Sequence, residues 1–142
     1  MEKSSFMTLN DTQHIIFILK KQQTTKIGQI GEEKACRYLI NKGYSILYTN
    51  WRHKRLEVDI ICTDTNNTLV FVEVKTRSSK IFGEPQDFVN ESKQRNLINA
   101  AEAYCHEFKH QGEIRFDIIG LLMTNKSIKE IKHYCDAFYE IE

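Results

Sequence analysis

The sequence is poor in residues that break or staple a chain. One proline, Pro85, and six glycines in 142 residues exclude collagen-like, low-complexity and linker-dominated chains. The four cysteines, Cys36, Cys62, Cys105 and Cys135, form no Cys-x-x-Cys pair. No zinc knuckle or vicinal redox dithiol is therefore written into the chain, and free, mostly buried thiols are expected. No apolar run approaches the roughly 18 residues of a membrane-spanning helix. The longest early one is Ile15-Ile16-Phe17-Ile18-Leu19, and Glu2 interrupts the basic start that a secretory signal needs. The expectation is a soluble cytoplasmic protein with no membrane partner. Excess charge of one sign is absent too: 20 Lys+Arg against 19 Asp+Glu leave +1, which excludes a strongly basic, non-specific nucleic-acid coat.

What is present suits one compact domain. The chain is 41% hydrophobic and 27% charged, and folding at this length buries about 68–70% of the unfolded surface. Residues 1–25 read as an appended arm ending in Lys20-Lys21-Gln22-Gln23-Thr24-Thr25, and 26–142 as a single domain. The near-zero charge is a cancellation. Residues 1–56 hold ten basic and four acidic side chains, and 57–142 hold ten and fifteen.

Apolar residues from Ile27 recur at helical spacing until Asn41-Lys42-Gly43 supplies a stop. Residues 44–50, 56–62 and 69–74 read as strands, with Trp51-Arg52-His53-Lys54-Arg55 as a basic connection and 63–68 as a hairpin turn. Residues 89–108 form a long amphipathic helix, and 113–123 and 128–138 two last strands. The order αβββαββ predicts an α/β fold, a mixed five-stranded sheet flanked by helices.

The chemistry concentrates on the second and third strands. Alternation puts Glu73 and Lys75 on one face at the end of the continuously apolar Leu69-Val70-Phe71-Val72. A hairpin centred near Asn66 sets Asp59 opposite Glu73. Asp59 also lies inside an apolar run, Val58-Asp59-Ile60-Ile61, where an unpaired carboxylate is costly. Two adjacent carboxylates and a lysine suit a hard divalent cation, Mg²⁺ or Mn²⁺, held by oxygen next to a phosphate. The set has the parts for phosphodiester hydrolysis: Asp59 and Glu73 as metal ligands, Lys75 to orient water or stabilise charge. An acid near the start of the first helix, Glu32 or Glu33, is available to assist the metal, and spacing leaves both open. Glu57 shares the expected strand face of Asp59 and is a candidate outer ligand.

These residues fall in blocks that resemble a known family. Gly31-Glu32-x-x-Ala35, Gly43-Tyr44-x-Ile46-Leu47, Asn50-x-Arg52, Glu57-Val58-Asp59-Ile60-Ile61, Val70 through Arg77, Phe82-Gly83-x-Pro85 and Arg115-Phe116-Asp117 look like the YraN family of bacterial proteins, over roughly residues 27 to 138. That family is similar to archaeal Holliday-junction resolvases and has the restriction endonuclease-like, PD-(D/E)xK fold. The resemblance implies a metal-dependent endonuclease acting on DNA, branched DNA included, with Glu32, Asp59, Glu73 and Lys75 in the active-site positions and Asp59, Glu73 and Glu32 at the metal. Two departures stand out: the arm before Ile27 is longer than the family's usual lead, and Leu56 replaces a common glycine.

Arg52, Lys54, Arg55, Arg77 and Lys93 are candidate phosphate contacts, because each such contact releases counterions and adds sequence-independent affinity. Cutting both strands of a junction symmetrically needs two sites about a two-fold axis, which makes a homodimer the matching assembly. The alternative is a non-catalytic nucleic-acid-binding module of the same fold. His106-Glu107-Phe108-Lys109-His110 matches the zinc-protease string His-Glu-x-x-His, but at the end of a helix it reads better as a solvated last turn.

Overall fold

A computed structural model describes residues 27–78, 89–125 and 127–138. The 1–25 arm and the Phe82–Pro85 block lie outside them. The chain runs α1 (Ile27–Asn41), β1 (Ser45–His53), β2 (Leu56–Thr63), β3 (Leu69–Arg77), α2 (Glu91–Phe108), β4 (Ile114–Thr124) and β5 (Ser127–Phe138). The sheet order is β1-β2-β3-β4-β5. Every pair is antiparallel except β3 and β4, which are parallel and joined through α2. The expected αβββαββ order and mixed five-stranded sheet are therefore those of the structure.

Local signals explain the elements. Gly43, at φ 93°, ends α1, and the N–H of Tyr44 returns to the Leu39 carbonyl at 3.0 Å. Asn90 caps α2 by accepting the Lys93 N–H, and Lys109 closes it in the left-handed region. Residues 69–74 are buried throughout, as a central strand covered on both faces requires. On one face Ala35, Cys36 and Leu39 of α1 pack on Ile60, Val70, Val72 and Val74. On the other, Leu97, Ala101 and Tyr104 of α2 pack on Trp51, Val58, Ile61 and Phe71.

The basic connection needs correction. Trp51, Arg52 and His53 continue β1, paired with Val58, Glu57 and Leu56, so that Lys54 and Arg55 alone make the turn. Lys54 takes φ 55°, as a two-residue hairpin demands. Trp51 and Tyr48 belong to the core on the α2 side.

No helix among the described residues is long and apolar enough to cross a membrane.

Candidate active site

The site forms where two paired strands part. The β2–β3 ladder keeps the register centred on residue 66 from Thr63↔Leu69 to Ile60↔Val72. At the next position the Val74 N–H donates to Asp59 Oδ2 at 2.8 Å, so a side chain takes the place of a backbone acceptor and the strands fork. Strict alternation also breaks here. Val58 packs on the α2 face and Ile60 on the α1 face, two residues apart. Across from Asp59, Asn50 of β1 has φ 51°. The irregularity turns Asp59 into the fork, where regular pleating would set it strictly on one face.

Each face contributes a side chain. Val70, Val72 and Val74 face α1, so alternation puts Glu73 and Lys75 on the α2 side. From α1 comes Glu32, and its approach depends on Gly31, where an added Cβ would collide with the Thr76 side chain. Gly31→Ala is expected to destabilise the protein by about 1–3 kcal/mol through overpacking. Adding Thr76→Ala should restore much of that loss, as a double-mutant cycle by thermal melting would show; strictly additive losses would mean that this contact does not set the helix position.

Burial dominates the electrostatics. Glu73 is 4% exposed. Desolvation first, and then the neighbouring Asp59, push its carboxyl up to about 8. Desolvation, Asp59 and Glu57 likewise push Glu32 up to about 8. Asp59 is raised by burial, with the Val74 N–H, Lys93 and a hydrogen bond from Glu73 opposing that rise. With the carboxylates ionised, Glu73 Oε1 is buried without a hydrogen-bond partner. A proton shared with Asp59 relieves it at low pH, and a cation would relieve it at high pH. The donor set is all oxygen, suited to a hard divalent ion.

The pH consequence has a definite sign. Glu32 and Glu73 titrate higher folded than their ordinary 4.5, so the stability they contribute is complete below that value and is lost as pH rises through about 8. The melting temperature in chelator should therefore fall across this window, and Glu73→Gln should flatten the fall. A wild-type melting curve unchanged from pH 5 to 8.5 would refute the assignment.

The structure separates the sequence candidates. Glu32 interacts with Asp59, whereas Glu33 pairs with Arg37 at 3.1 Å on the surface. Glu57 sits close enough to raise Glu32 but is paired with Arg52 at 3.0 Å. Because alternation breaks between them, it does not simply share the strand face of Asp59. Lys93 reaches Glu73 Oε2 at 3.6 Å. Arg52 near the end of β1, Lys54 and Arg55 in the β1–β2 turn, and Arg77 at the end of β3 are exposed at the same end of the sheet as the fork. The His106–His110 string is not a helical metal pair: α2 ends at Phe108, and His110 lies beyond the left-handed Lys109.

One buried cluster went unread in the sequence. Asp117 is fully buried. Arg115 donates to it through Nε at 2.8 Å and Nη2 at 2.9 Å, and the Asp136 N–H donates at 3.0 Å. His133 Nε2 lies 2.7 Å from Asp117 Oδ2. Arg115 also reaches Asp64 in the β2–β3 turn at 2.8 Å and the Tyr44 hydroxyl at 2.9 Å. Although burial opposes it, the bonds from His133, Arg115 and the Asp136 N–H hold the Asp117 carboxyl below its usual value. Asp117, His133 and Cys135 bring donor atoms within 4.8 Å of one another, but both Asp117 oxygens are already saturated. Cys135 Sγ and Asp117 face the same His133 nitrogen, whereas a nucleophile relay uses both ring nitrogens. The cluster is a structural lock. The Arg-x-Asp spacing is legible in the sequence; the partners from three other segments, Tyr44, Asp64 and β5, are not.

Fold and fork define an α/β protein in which buried Glu73 and half-buried Asp59 meet at the end of a central strand, with Lys75 on that strand and Lys93 reaching in from α2. The model of the uncharacterised protein family UPF0102 matches residues 31–121, and the chain belongs to that YraN-like family. It is 48% identical to a UPF0102 protein of Flavobacterium psychrophilum over 80% of this chain and 93% of that one. It is 45% identical to one of Christiangramia forsetii over 80% and 94%. Among solved structures, a repair endonuclease from Pyrococcus abyssi aligns with TM-score 0.45 and 12% identity over 73% of this chain and 42% of that chain. The SfsA protein of Pyrococcus furiosus in complex with Ca²⁺ aligns at TM-score 0.28 and 11% identity over 80% and 62%. Likeness at that distance speaks to neither activity nor substrate.

Proposed function

We propose that the protein is a divalent-metal-dependent endonuclease that hydrolyses DNA phosphodiester bonds, with branched, Holliday-junction-like DNA as its substrate class. The observation carrying this reading is the unpartnered Oε1 of a Glu73 that is 4% exposed, beside the half-buried carboxylate of Asp59. Once ionised, as a metal ligand must be, Glu73 is a buried charge that one long contact with Lys93 leaves undercompensated, a state that costs several kcal/mol unless a cation is bound. A cluster retained in this state suits a cation better than it suits folding.

Asp59 and Glu73 would hold a Mg²⁺ or Mn²⁺ ion, with Glu32 assisting. When bound, such an ion lowers the pKa of water and screens the phosphate. The Val74 N–H fixes the Asp59 carboxylate, so its orientation does not depend on side-chain freedom. Lys75, two residues after Glu73, orients the attacking water or stabilises developing negative charge. Lys54, Arg55 and Arg77 flank the fork and supply phosphate contacts, and Arg52 adds to them beside its pairing with Glu57. Symmetric cutting of a junction would require a homodimer.

The test is incubation with Mn²⁺ and labelled four-way junction, flap and linear duplex. Nicking that chelator abolishes supports the enzyme. Binding without nicking of any substrate would replace it with the non-catalytic binding module.

A further inference from the structure

Lys93 enters the fork from the face opposite Glu32. Its backbone is held at the start of α2, where Asn90 Oδ1 accepts the Lys93 N–H at 2.9 Å, and only its side chain crosses to the sheet. The Nζ lies 3.6 Å from Glu73 Oε2, and the side chains are 40% and 5% exposed respectively. This is longer than a charge-assisted hydrogen bond of about 2.7–2.9 Å. A long ion pair with one partner in solvent is weakly held. The same ammonium also acts on Asp59, yet Glu73 Oε1 stays unpartnered. Lys93 thus offsets part of the charge of the site without filling it.

We propose that Lys93 is a displaceable counter-cation, seated against Glu73 in the metal-free protein, expelled by an incoming divalent ion, and then turned to a phosphate of the bound DNA. The inference rests on the metal-dependent nuclease reading of the same site. Two cations cannot share one Glu73 oxygen without mutual repulsion, and the divalent ion carries twice the charge. An ammonium on a flexible four-carbon stem rotates away at little cost. Since the carboxylates are then engaged by the ion, the released ammonium is free to meet a phosphate of the bound DNA. Lys93 is a positioning residue in the first state and a phosphate contact in the second.

The test compares wild type, Lys93→Met and Lys93→Arg by Mn²⁺ titration calorimetry without DNA, and then by junction binding in Ca²⁺ across a salt series. Losing the competitor should tighten Mn²⁺ binding about tenfold in Lys93→Met, while Lys93→Arg stays near wild type. Junction binding by Lys93→Met should weaken, and its log-affinity against log-salt slope should drop by about 0.9, one phosphate contact. Lys93→Gln serves as the second variant if Lys93→Met does not fold. Unchanged or weaker Mn²⁺ affinity, or an unchanged salt slope, overturns the inference while leaving the nuclease reading intact. If Glu73→Ala binds Mn²⁺ as wild type does, the site reading fails and the inference falls with it.

Discussion

Lys75→Ala and Glu73→Ala are expected to lower Mn²⁺-dependent nicking of a four-way junction by about 10²–10⁴-fold, the range for losing a positioned proton-transfer or charge-stabilising group. The two losses should differ in kind. Glu73→Ala removes a proposed metal ligand and should abolish measurable Mn²⁺ binding. Lys75→Ala should keep Mn²⁺ binding and lose the chemical step. Misfolding is an unsatisfactory explanation for loss in Glu73→Ala, because desolvation and Asp59 already disfavour the charged Glu73 in the folded state. Its metal-free melting temperature at pH 8 should be equal to or above that of wild type. Nicking that persists undiminished in both variants would show that another site, or a contaminant, cuts the DNA.

Arg115→Ala should be strongly destabilising, by about 3–5 kcal/mol, the typical result of stripping one partner from a buried ion pair. Asp117 would keep His133 and the Asp136 N–H but lose both bonds from Arg115. Asp64 would lose its ion pair, untying the β2–β3 turn from β4. Chemical denaturation measures the loss directly. Arg115→Lys should recover only a minor part, since an ammonium cannot reproduce the two-pronged contact with Asp117 while also bonding Asp64 and Tyr44. A loss under about 1 kcal/mol would mean that the network is no more than a surface-like ion pair. This network lies on the α1 side of the sheet, away from the fork, so nicking per folded molecule should be preserved at a temperature where the variant is stable.

The two effects separate function from folding along a line that the sequence drew unevenly. Periodicity and turn residues placed every element, because a helix or strand between clear stops depends on neighbours a few residues away. The unbroken apolar Leu69–Val72 marked the central strand, and the residue-66 hairpin centre put Asp59 level with Glu73. The error at Trp51–His53 has a physical cause. Three polar or aromatic residues before a basic pair look like a loop, yet Trp51 packs against Tyr104 with ring centroids 5.4 Å apart, and that burial holds the strand together to His53.

The sequence by itself determined which residues carry charge, which strand is central, and that two carboxylates and a lysine emerge at its end. Local chemistry and spacing suffice for that. Only the tertiary structure sets Glu32 beside Asp59 and pairs Glu33 with Arg37, since adjacent helical positions are separated by how α1 lies on the sheet, and Gly31 packs against Thr76 there. Tertiary packing also pulled Lys93 into the site and Asp117 into the lock. Both are contacts across long stretches of chain, Lys93 with Glu73 and Asp117 with His133, and no pattern within either segment encodes its partner. Net charge near zero excluded a non-specific coat, but the fold concentrates carboxylates at one fork, where desolvation makes their ionisation costly.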